Sequence, residues 1–497
     1  MSSIETDSPP QPFLLRVVSF PALLGALLVA ALFVPLRDPN LDPDVWWHIK
    51  VGQSILETHH CPTVDTYSFT VHGNPWMAHE WLSDVLLAAV QRTGGLRGLL
   101  ALDLALAAAI VLALYALTSL RSRNPKAAFV TCALLLPLVF ISVTLRPQML
   151  GYLFLILTLI ILERFRQGRC ATLWLLPPLF LLWVNMHGSF VTGLLAFGVY
   201  GISGLFKLRW GGLESAPWTA VQRLRLGATF LLSLCVLAIT PYGPRLAAYP
   251  LDLAFLQPIN RAYIQEWEPM PFNQPFGQYF LALLVAFLLA QIVLGPTWQL
   301  AELTLFFAGL CAVCLHVRLL LVFVPFSAPL FAMILSRWVP AYDTGKDKYA
   351  LNALLMVAIA AGILWFYPSR ARLESGVARH FPVNAVQYIL RHPPPQPMYN
   401  NYMFGGYLMF ALDGRSKVFV DGRGDIYERA GVLTDYGSIA WVAPNALPLL
   451  RAYNVHSCLL ERDESLATLL AVTSEWRKVY TDDLSVLFVR ESDKGQP

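Results

Sequence analysis

Two aspartates after the first long apolar stretch have the types and spacing of a catalytic or cation-binding pair. Asp42 and Asp44 follow an apolar run that ends near Leu36. A carboxylate at a membrane surface can act as a general base, removing the proton of an acceptor hydroxyl that attacks the anomeric carbon of a sugar. The second acid could orient the acceptor, or the D-x-D pair could hold a divalent metal such as Mg²⁺ or Mn²⁺. A structural role stays open, because acids stabilise helix N-termini by about 0.3–1 kcal/mol.

Three arginines are candidates for binding a phosphate. Arg146, Arg245 and Arg318 each lie where a predicted membrane span begins or ends. The planar guanidinium matches the geometry of phosphate oxygens, so these residues could hold the phosphate of a lipid-linked donor. The alternative is that they extend to the lipid head groups, as arginine does readily near span ends.

Histidines and acids near the same span ends extend the candidate set. His187 and His316 could hydrogen-bond a sugar or a phosphate, although a single histidine often has only a structural role. Glu266 and Glu268 flank Trp267 in a predicted loop. Carboxylates beside an aromatic face suit a carbohydrate site, and a solvated loop would contain the same residues.

Composition places these residues in an integral membrane protein. The chain has 497 residues, of which 56% are apolar and only 14% charged, whereas soluble proteins carry roughly 25% charged residues. The small net charge of +4 does not suggest nucleic acid binding. Apolar stretches predict about eleven spans. They lie near 13–36, 98–119, 127–145, 149–163, 171–186, 190–206, 226–241, 276–295, 299–315, 319–336 and 349–367.

The basic residues predict the orientation of these spans. Counting spans alternately puts the Lys- and Arg-rich connections on one side, which the positive-inside rule makes the cytoplasm. The opposite side receives a first loop of about 38–97, a second of about 242–275, and the candidate residues above. We therefore expect a multi-pass protein of the bacterial inner membrane with a cytoplasmic N-terminus.

The long first loop is predicted to contain two interfacial helices. Apolar residues recur at helical spacing from Asp44 to about Thr58, which indicates a helix lying on the membrane. Trp46 and Trp47 suit the membrane–water interface. A second amphipathic stretch begins near 76–81 and runs to about Val90.

The last quarter of the chain predicts a separate soluble unit. We divide the chain into a transmembrane domain, 1–367, and a small extracytoplasmic α/β domain, 368–497, because charge rises and long apolar runs end there. The segment 421–425, Asp-Gly-Arg-Gly-Asp, predicts a tight turn, with substrate contact as the alternative. Strands are predicted near 417–420, 457–460 and 485–489, and helices near 384–391, 445–452 and 465–472.

This layout resembles the GT-C superfamily of polyprenyl-phosphate-dependent glycosyltransferases, whose members include the protein O-mannosyltransferases and the lipid A aminoarabinose transferases. The resemblance covers the whole chain in layout and the segments 42–48 and 76–81 in motif. It implies that a first-loop acid is the catalytic base, which points to Asp44, with Asp42 as second candidate. His79-Glu80 lies where the family often has a second polar motif.

The sequence is also similar to bacterial membrane proteins that carry the motifs D-P-D-x-W-W-H, H-E-W, R-P-Q and V-N-x-H-G. That similarity adds His48 and Asn185 to the substrate-binding candidates. The chain departs from the mannosyltransferase pattern, since no Asp-Glu pair follows its first span. The base, the sugar and the metal requirement therefore stay open.

The leading hypothesis is an inverting glycosyltransferase. It would transfer a sugar from a polyprenyl-phosphate carrier to a glycan, lipid or protein acceptor outside the cytoplasm. A flippase for a lipid-linked glycan is one alternative, although transporters usually place charged groups near the bilayer midplane. A non-catalytic membrane assembly protein is the other.

Overall fold

The computed structural model describes residues 12–37, 41–259 and 267–491. The part before residue 366 is mostly helical. Its helices are α1 (Phe13–Val17), α2 (Phe20–Leu36), α3 (Asp44–Thr58), α4 (Trp81–Ser122), α5 (Pro125–Ser142), α6 (Gln148–Arg166), α7 (Leu176–Met186), α8 (Phe190–Ser203), α9 (Ala220–Val236), α10 (Pro244–Leu256), α11 (Pro275–Leu294), α12 (Leu300–Leu315), α13 (Leu320–Leu335) and α14 (Tyr349–Trp365). A small sheet joins β1 (Leu208–Trp210), β2 (Leu213–Ser215) and β3 (Trp298–Gln299).

A helix occupies each of the eleven apolar stretches predicted from the sequence. Within the described residues, six helical stretches are long and apolar enough to cross a membrane, or seven if α14 and the next helix form one bent span. Three further apolar helices are shorter, at Cys170–Met186, Phe190–Ser203 and Leu300–Leu315. The chain is therefore a multi-pass membrane protein, and the count of eleven spans stays a prediction.

The basic connections gather at one end of the helix bundle. Arg121, at the end of α4, and Arg166, at the end of α6, both pair with the buried carboxylate of Glu302 on α12. The side-chain amide of Asn124 donates to the Val339 carbonyl, 2.8 Å away. This clustering agrees with the alternation predicted from the positive charges. Which side of the membrane this end faces is a prediction.

The first loop has the helices that the sequence predicts. Helix α3 spans Asp44–Thr58, and α4 begins at Trp81 and is interrupted at Gly95, whose φ of 56° and ψ of −147° break the helix. The two helices pack so closely that a Cβ on Gly52 would lie 2.0 Å from the Asp84 carbonyl oxygen and 2.8 Å from the Ala88 Cβ. Glycine at position 52 thus sets the distance between α3 and α4.

Replacing Gly52 with alanine is expected to destabilise the protein by about 1–3 kcal/mol, the usual cost of overpacking a close interface. The extra methyl group forces α3 away from α4, because the nearest obstacle is backbone. Thermal unfolding in detergent would measure the effect. Gly94→Ala is the matched control, since a Cβ there meets nothing within 4 Å, and equal midpoints for the two variants would contradict the prediction.

The C-terminal segment folds as an α/β unit. Its helices are α15 (Arg370–His380), α16 (Val383–Arg391), α17 (Tyr402–Ala411), α18 (Gly424–Arg429), α19 (Val432–Ala440), α20 (Ala446–Ala452) and α21 (Ser465–Val472). Its sheet has the order β4-β5-β7-β6, formed by β4 (Met398–Asn400), β5 (Ser457–Glu461), β6 (Trp476–Thr481) and β7 (Ser485–Arg490). Strands β4 and β5 are parallel, and the other pairs are antiparallel.

The predicted elements of this segment are mostly confirmed. The helices expected near 384–391, 445–452 and 465–472 are α16, α20 and α21, and two of the three expected strands are β5 and β7. The prediction of a strand at 417–420 is wrong, because this stretch forms only an isolated bridge, between Val418 and Ser68 of the first loop. Its backbone polar groups pair with another part of the chain instead of extending the sheet.

A hydrophobic core joins the first loop to the C-terminal segment. The ring of Trp46 on α3 lies 5.1 Å from that of Tyr407 on α17 and 5.5 Å from that of Phe381. The sequence suggested that Trp46 and Trp47 lie at the membrane interface. In the structure they are instead buried between protein layers. The packing of the α3 tryptophans stabilises the contact between the first loop and the C-terminal unit.

Candidate active site

A cavity of about 510 Å³ lies where the first loop, several span ends and the C-terminal segment meet. Seven residues proposed from the sequence contribute to its wall: Asp44, His48, His79, Glu80, Arg146, His187 and Arg318. These residues come from the first loop and from three separate span ends. The fold therefore brings together most of the polar residues that the sequence singled out.

Asp44 is the first residue of α3 and is held on three sides. Its backbone N–H donates to Asp42 Oδ1 at 2.9 Å, and the Trp47 indole N–H donates to its Oδ1 at 3.1 Å. Arg146 Nη2 lies 3.3 Å from Asp44 Oδ2. Burial raises the pKa of Asp44, as does the neighbouring Asp42, and the Arg146 charge opposes both. The side chain keeps 28% exposure, so its carboxylate can reach a ligand in the cavity.

Arg146 lies between the two first-loop acids, Asp42 and Asp44, which the sequence suggests could hold a divalent cation. Its Nε is 2.7 Å from Asp42 Oδ2 while its Nη2 reaches Asp44. In this arrangement the Arg146 guanidinium balances the negative charge of Asp42 and Asp44. Among the residues the structure describes, no group of three or more His, Cys, Asp or Glu side chains is placed to hold a metal ion. A divalent metal at the D-x-D pair therefore stays a prediction.

Glu80, at the start of α4, is surrounded by imidazoles. Its carboxyl oxygens lie 3.3 Å from His187 Nε2, 3.5 Å from His48 Nε2 and 3.9 Å from His79 Nε2. The Ser189 backbone N–H donates to His187 Nδ1 at 3.0 Å, so the neutral His187 ring carries its proton on Nε2, facing Glu80. Burial raises the pKa of Glu80 to about 7, and the nearby His48 opposes this shift.

The three histidines around Glu80 are neutral at physiological pH. Burial lowers the pKa of His79 to about 3 and that of His187 well below its usual value, and it also lowers the pKa of His48. His48 Nδ1 lies 2.6 Å from Oδ1 of the fully buried Asp84, which orients the ring so that Nε2 faces Glu80. These rings therefore act as hydrogen-bonding groups rather than as fixed positive charges.

The C-terminal segment forms the remaining wall. The loop 421–424 lies so close to α3 that a Cβ on Gly422 would be 1.8 Å from Asp44 Oδ1. Next to it, Arg423 forms ion pairs with Asp421 and with Asp65 of the first loop, both at 2.6 Å. The Asp-Gly-Arg-Gly-Asp segment is thus more than a turn: it packs the C-terminal unit directly against the candidate base.

The other predicted residues do not line this cavity. Asn185 accepts a hydrogen bond from the Trp81 indole and donates to the Ile239 carbonyl, which is a structural role. Arg245 is exposed on α10, and the His316 ring contacts the Trp267 carbonyl at 2.7 Å through Nδ1. The prediction that these three bind substrate finds no support in their positions. Glu266 lies outside the described residues.

Several cavity residues were not proposed from the sequence. Tyr249 on α10, Tyr402 on α17 and Asp425 on α18 all line the wall, and Asp84 supports it through His48. Asp425 had a local signal as part of the turn segment, and Tyr402 lies in a stretch rich in aromatic and amide residues, 399–407. The others resemble ordinary amphipathic-helix residues until the tertiary contacts are known.

Comparison with solved structures identifies the architecture. The chain superposes on ArnT from Cupriavidus metallidurans bound to undecaprenyl phosphate with a TM-score of 0.55 and 14% identity, covering 96% of this chain and 99% of ArnT. It also superposes on the apo oligosaccharyltransferase AglB from Archaeoglobus fulgidus with a TM-score of 0.54 and 14% identity, covering 90% of this chain and 69% of AglB. The chain has a GT-C-like fold.

The GT-C-like fold predicted from the sequence is thereby confirmed at the level of architecture. A further AglB structure, in complex with an inhibitory peptide and a dolichol-phosphate, matches with a TM-score of 0.51 and 13% identity over 88% of this chain and 69% of AglB. No protein-family model and no curated protein matches the sequence. At these identities the likeness concerns the fold alone.

Proposed function

We propose that this protein is a membrane glycosyltransferase that moves a sugar from a polyprenyl-phosphate carrier to an acceptor outside the cytoplasm. One observation carries the proposal: Asp44, Arg146 and Arg318 line a single cavity beneath the C-terminal unit of a GT-C-like fold. The similar ArnT structure contains undecaprenyl phosphate, a polyprenyl phosphate of the kind that the proposed transfer would release. In the bacterial inner membrane, this end of the bundle would face the periplasm.

The reaction would be a single displacement with inversion at the anomeric carbon. The Asp44 carboxylate accepts the proton of the acceptor hydroxyl as its oxygen attacks the sugar, and the bond to the carrier phosphate breaks. The raised pKa of Asp44 makes this carboxylate a better proton acceptor. Arg318, with Arg146 beside the base, would stabilise the charge on the leaving phosphate. Arg245 is exposed and does not line the cavity, so the proposed reaction gives it no role.

A transfer assay in proteoliposomes tests the proposed function. The purified protein is incubated with a panel of undecaprenyl-phosphate-linked sugars and envelope extract as acceptor, and products are followed by mass spectrometry. A glycosyltransferase releases undecaprenyl phosphate and increases the mass of an acceptor by one sugar. A flippase would move the lipid-linked sugar between leaflets without changing its mass, and an assembly protein would do neither.

The affinity for undecaprenyl phosphate is expected to depend on Glu80 across about pH 6 to pH 8. With a pKa of about 7, Glu80 is protonated below this range and carries a negative charge above it, where it repels the phosphate. Burial lowers the pKa values of the neighbouring His48, His79 and His187, which favours their neutral forms. We expect a loss of about tenfold in affinity, equivalent to roughly 1.4 kcal/mol.

Glu80→Gln is the matched comparison for this measurement. The phosphate headgroup titrates identically with both proteins, so the ratio of the two dissociation constants at each pH isolates Glu80. The ratio should change by about tenfold between the ends of the range. A constant ratio would show that Glu80 does not face the phosphate.

A further inference from the structure

Asp425 and Tyr249 form a polar pair on the cavity wall that the proposed reaction does not use. Asp425 lies on α18 of the C-terminal unit, and Tyr249 lies on α10 in the second outer loop. Both line the cavity, although the two residues are only 4% and 7% exposed. Both residues are thus largely buried, and both contribute to the cavity wall.

The Asp425 carboxylate accepts a hydrogen bond from the Ile426 backbone N–H, but within the described parts of the chain neither Asp425 nor Tyr249 has a hydrogen bond or ion pair with another side chain. The cations nearest Asp425 are committed elsewhere: Arg429 pairs with Asp252, and Arg423 pairs with Asp421 and Asp65. Buried polar groups in folded proteins normally have partners. A carboxyl group and a phenol that share a cavity wall without side-chain partners are placed to hydrogen-bond a ligand in the cavity.

The chemistry of the pair specifies the ligand. A carboxylate accepts hydrogen bonds and a phenol both donates and accepts, so a ligand with several hydroxyl groups matches the pair. Burial raises the pKa of Asp425 to about 6, with Arg429 and Arg423 opposing the shift, so the carboxylate is mostly ionised at neutral pH. A phosphate would be repelled there. The Tyr249 ring, stacked 4.0 Å from the His79 ring, offers an apolar surface.

We propose that Asp425 and Tyr249 form a subsite for the hydroxyl groups of a sugar ring, separate from the Asp44–Arg146 pair. The proposal rests on the proposed function for its role in transfer, but the binding it predicts can be measured without any transfer. The sugar would belong either to the lipid-linked donor or to a glycan acceptor, which present the same hydroxyl chemistry. The C-terminal unit would then contribute to substrate recognition directly.

Saturation-transfer-difference NMR on the full-length protein in nanodiscs tests the subsite, because it detects weak binding. The probes are the methyl glycosides of glucose, galactose and mannose. At least one glycoside should show saturation transfer with the wild-type protein, and the signal should fall at least severalfold in Asp425→Asn and in Tyr249→Phe. The Tyr249→Phe variant keeps the ring packing, so a fall in its signal reports the lost hydroxyl group rather than misfolding.

Asp435→Asn is the matched control in the same C-terminal unit. The Asp435 carboxylate accepts a hydrogen bond from Tyr453 at 2.7 Å and does not line the cavity. This variant should retain the wild-type signal. The proposal is overturned if no glycoside shows saturation transfer, or if the Asp425 and Tyr249 variants match the wild-type protein.

Competition distinguishes the source of the sugar. Displacement of the bound glycoside by undecaprenyl-phosphoryl-glucose, but not by undecaprenyl phosphate, supports occupancy by the donor sugar. Displacement by neither lipid supports an acceptor glycan. If undecaprenyl phosphate, which carries no sugar, displaces the glycoside, the subsite binds phosphate and the proposal is overturned. Glycoside binding without any transfer activity would count against the proposed function and leave the subsite intact.

Discussion

Sugar transfer by an Asp44→Asn protein is expected to fall about 10²–10⁴-fold, the usual contribution of a general base. Asparagine fills the same space and can still accept the hydrogen bond from the Trp47 indole. It cannot take up the proton of an acceptor hydroxyl. The loss should therefore appear in the rate of transfer more than in the affinity for the lipid donor, and both are measurable in proteoliposomes.

Two comparison variants isolate the role of Asp44. Asp413→Asn makes the same chemical change at an exposed acid that pairs with Lys50, and it should transfer at the wild-type rate. Asp42→Asn should have an intermediate effect, because Asp42 acts through its contacts with Arg146 and with the Asp44 backbone. Transfer by Asp44→Asn at the wild-type rate, from correctly folded protein, would remove Asp44 from the mechanism.

Local sequence patterns were sufficient for the elements nearest the candidate base. The helical spacing after Asp44 predicts α3 with its observed ends, Asp44 and Thr58. The positive-charge count placed Arg146 and Arg318 at the same end of the bundle as the first loop. These predictions succeed because hydrophobic periodicity and charge are properties of short segments.

The rest of the site depends on contacts between distant parts of the chain. Nothing local to Gly422 indicates that it lies against Asp44, and Asp84 has the sequence context of an ordinary helical acid. Trp46 and Trp47 satisfy the pattern of interfacial residues equally well whether lipid or protein covers them. The C-terminal unit packs over Trp46 and Trp47, and no pattern in the first loop predicts this contact.

The same limit explains why some candidates lie outside the cavity. A residue at a span end can point into the bundle, toward a neighbouring helix or outward, and packing decides among these directions. Asn185 is turned toward Trp81 and Ile239, while Arg245 is exposed on α10. His187, two residues after Asn185, does face the cavity. Sequence position therefore identified the end of the bundle at which the cavity lies, but not which residues face into it.

Replacing Arg423 with methionine is expected to destabilise the C-terminal unit by about 3–5 kcal/mol. The guanidinium is almost fully buried and holds Asp421 through two hydrogen bonds and Asp65 through one. Its removal leaves two buried carboxylates facing each other without a cation. Because Asp65 belongs to the first loop, the same change weakens the contact that holds Gly422 against Asp44. Thermal unfolding and limited proteolysis in detergent would measure the loss.

Two further variants show whether the loss of stability in Arg423→Met comes from the unpaired buried carboxylates or from removing any arginine. Arg451→Met removes an exposed arginine that pairs with Glu475, and it should cost less than about 1 kcal/mol. Neutralising both acids in the Arg423→Met background, with Asp65→Asn and Asp421→Asn, should recover much of the lost stability, because no unpaired buried charge remains. If the triple variant were no more stable than Arg423→Met, packing rather than charge would hold the first loop to the C-terminal unit. In that case the fit of Gly422 against α3, and not the ion pairs, would position the candidate base.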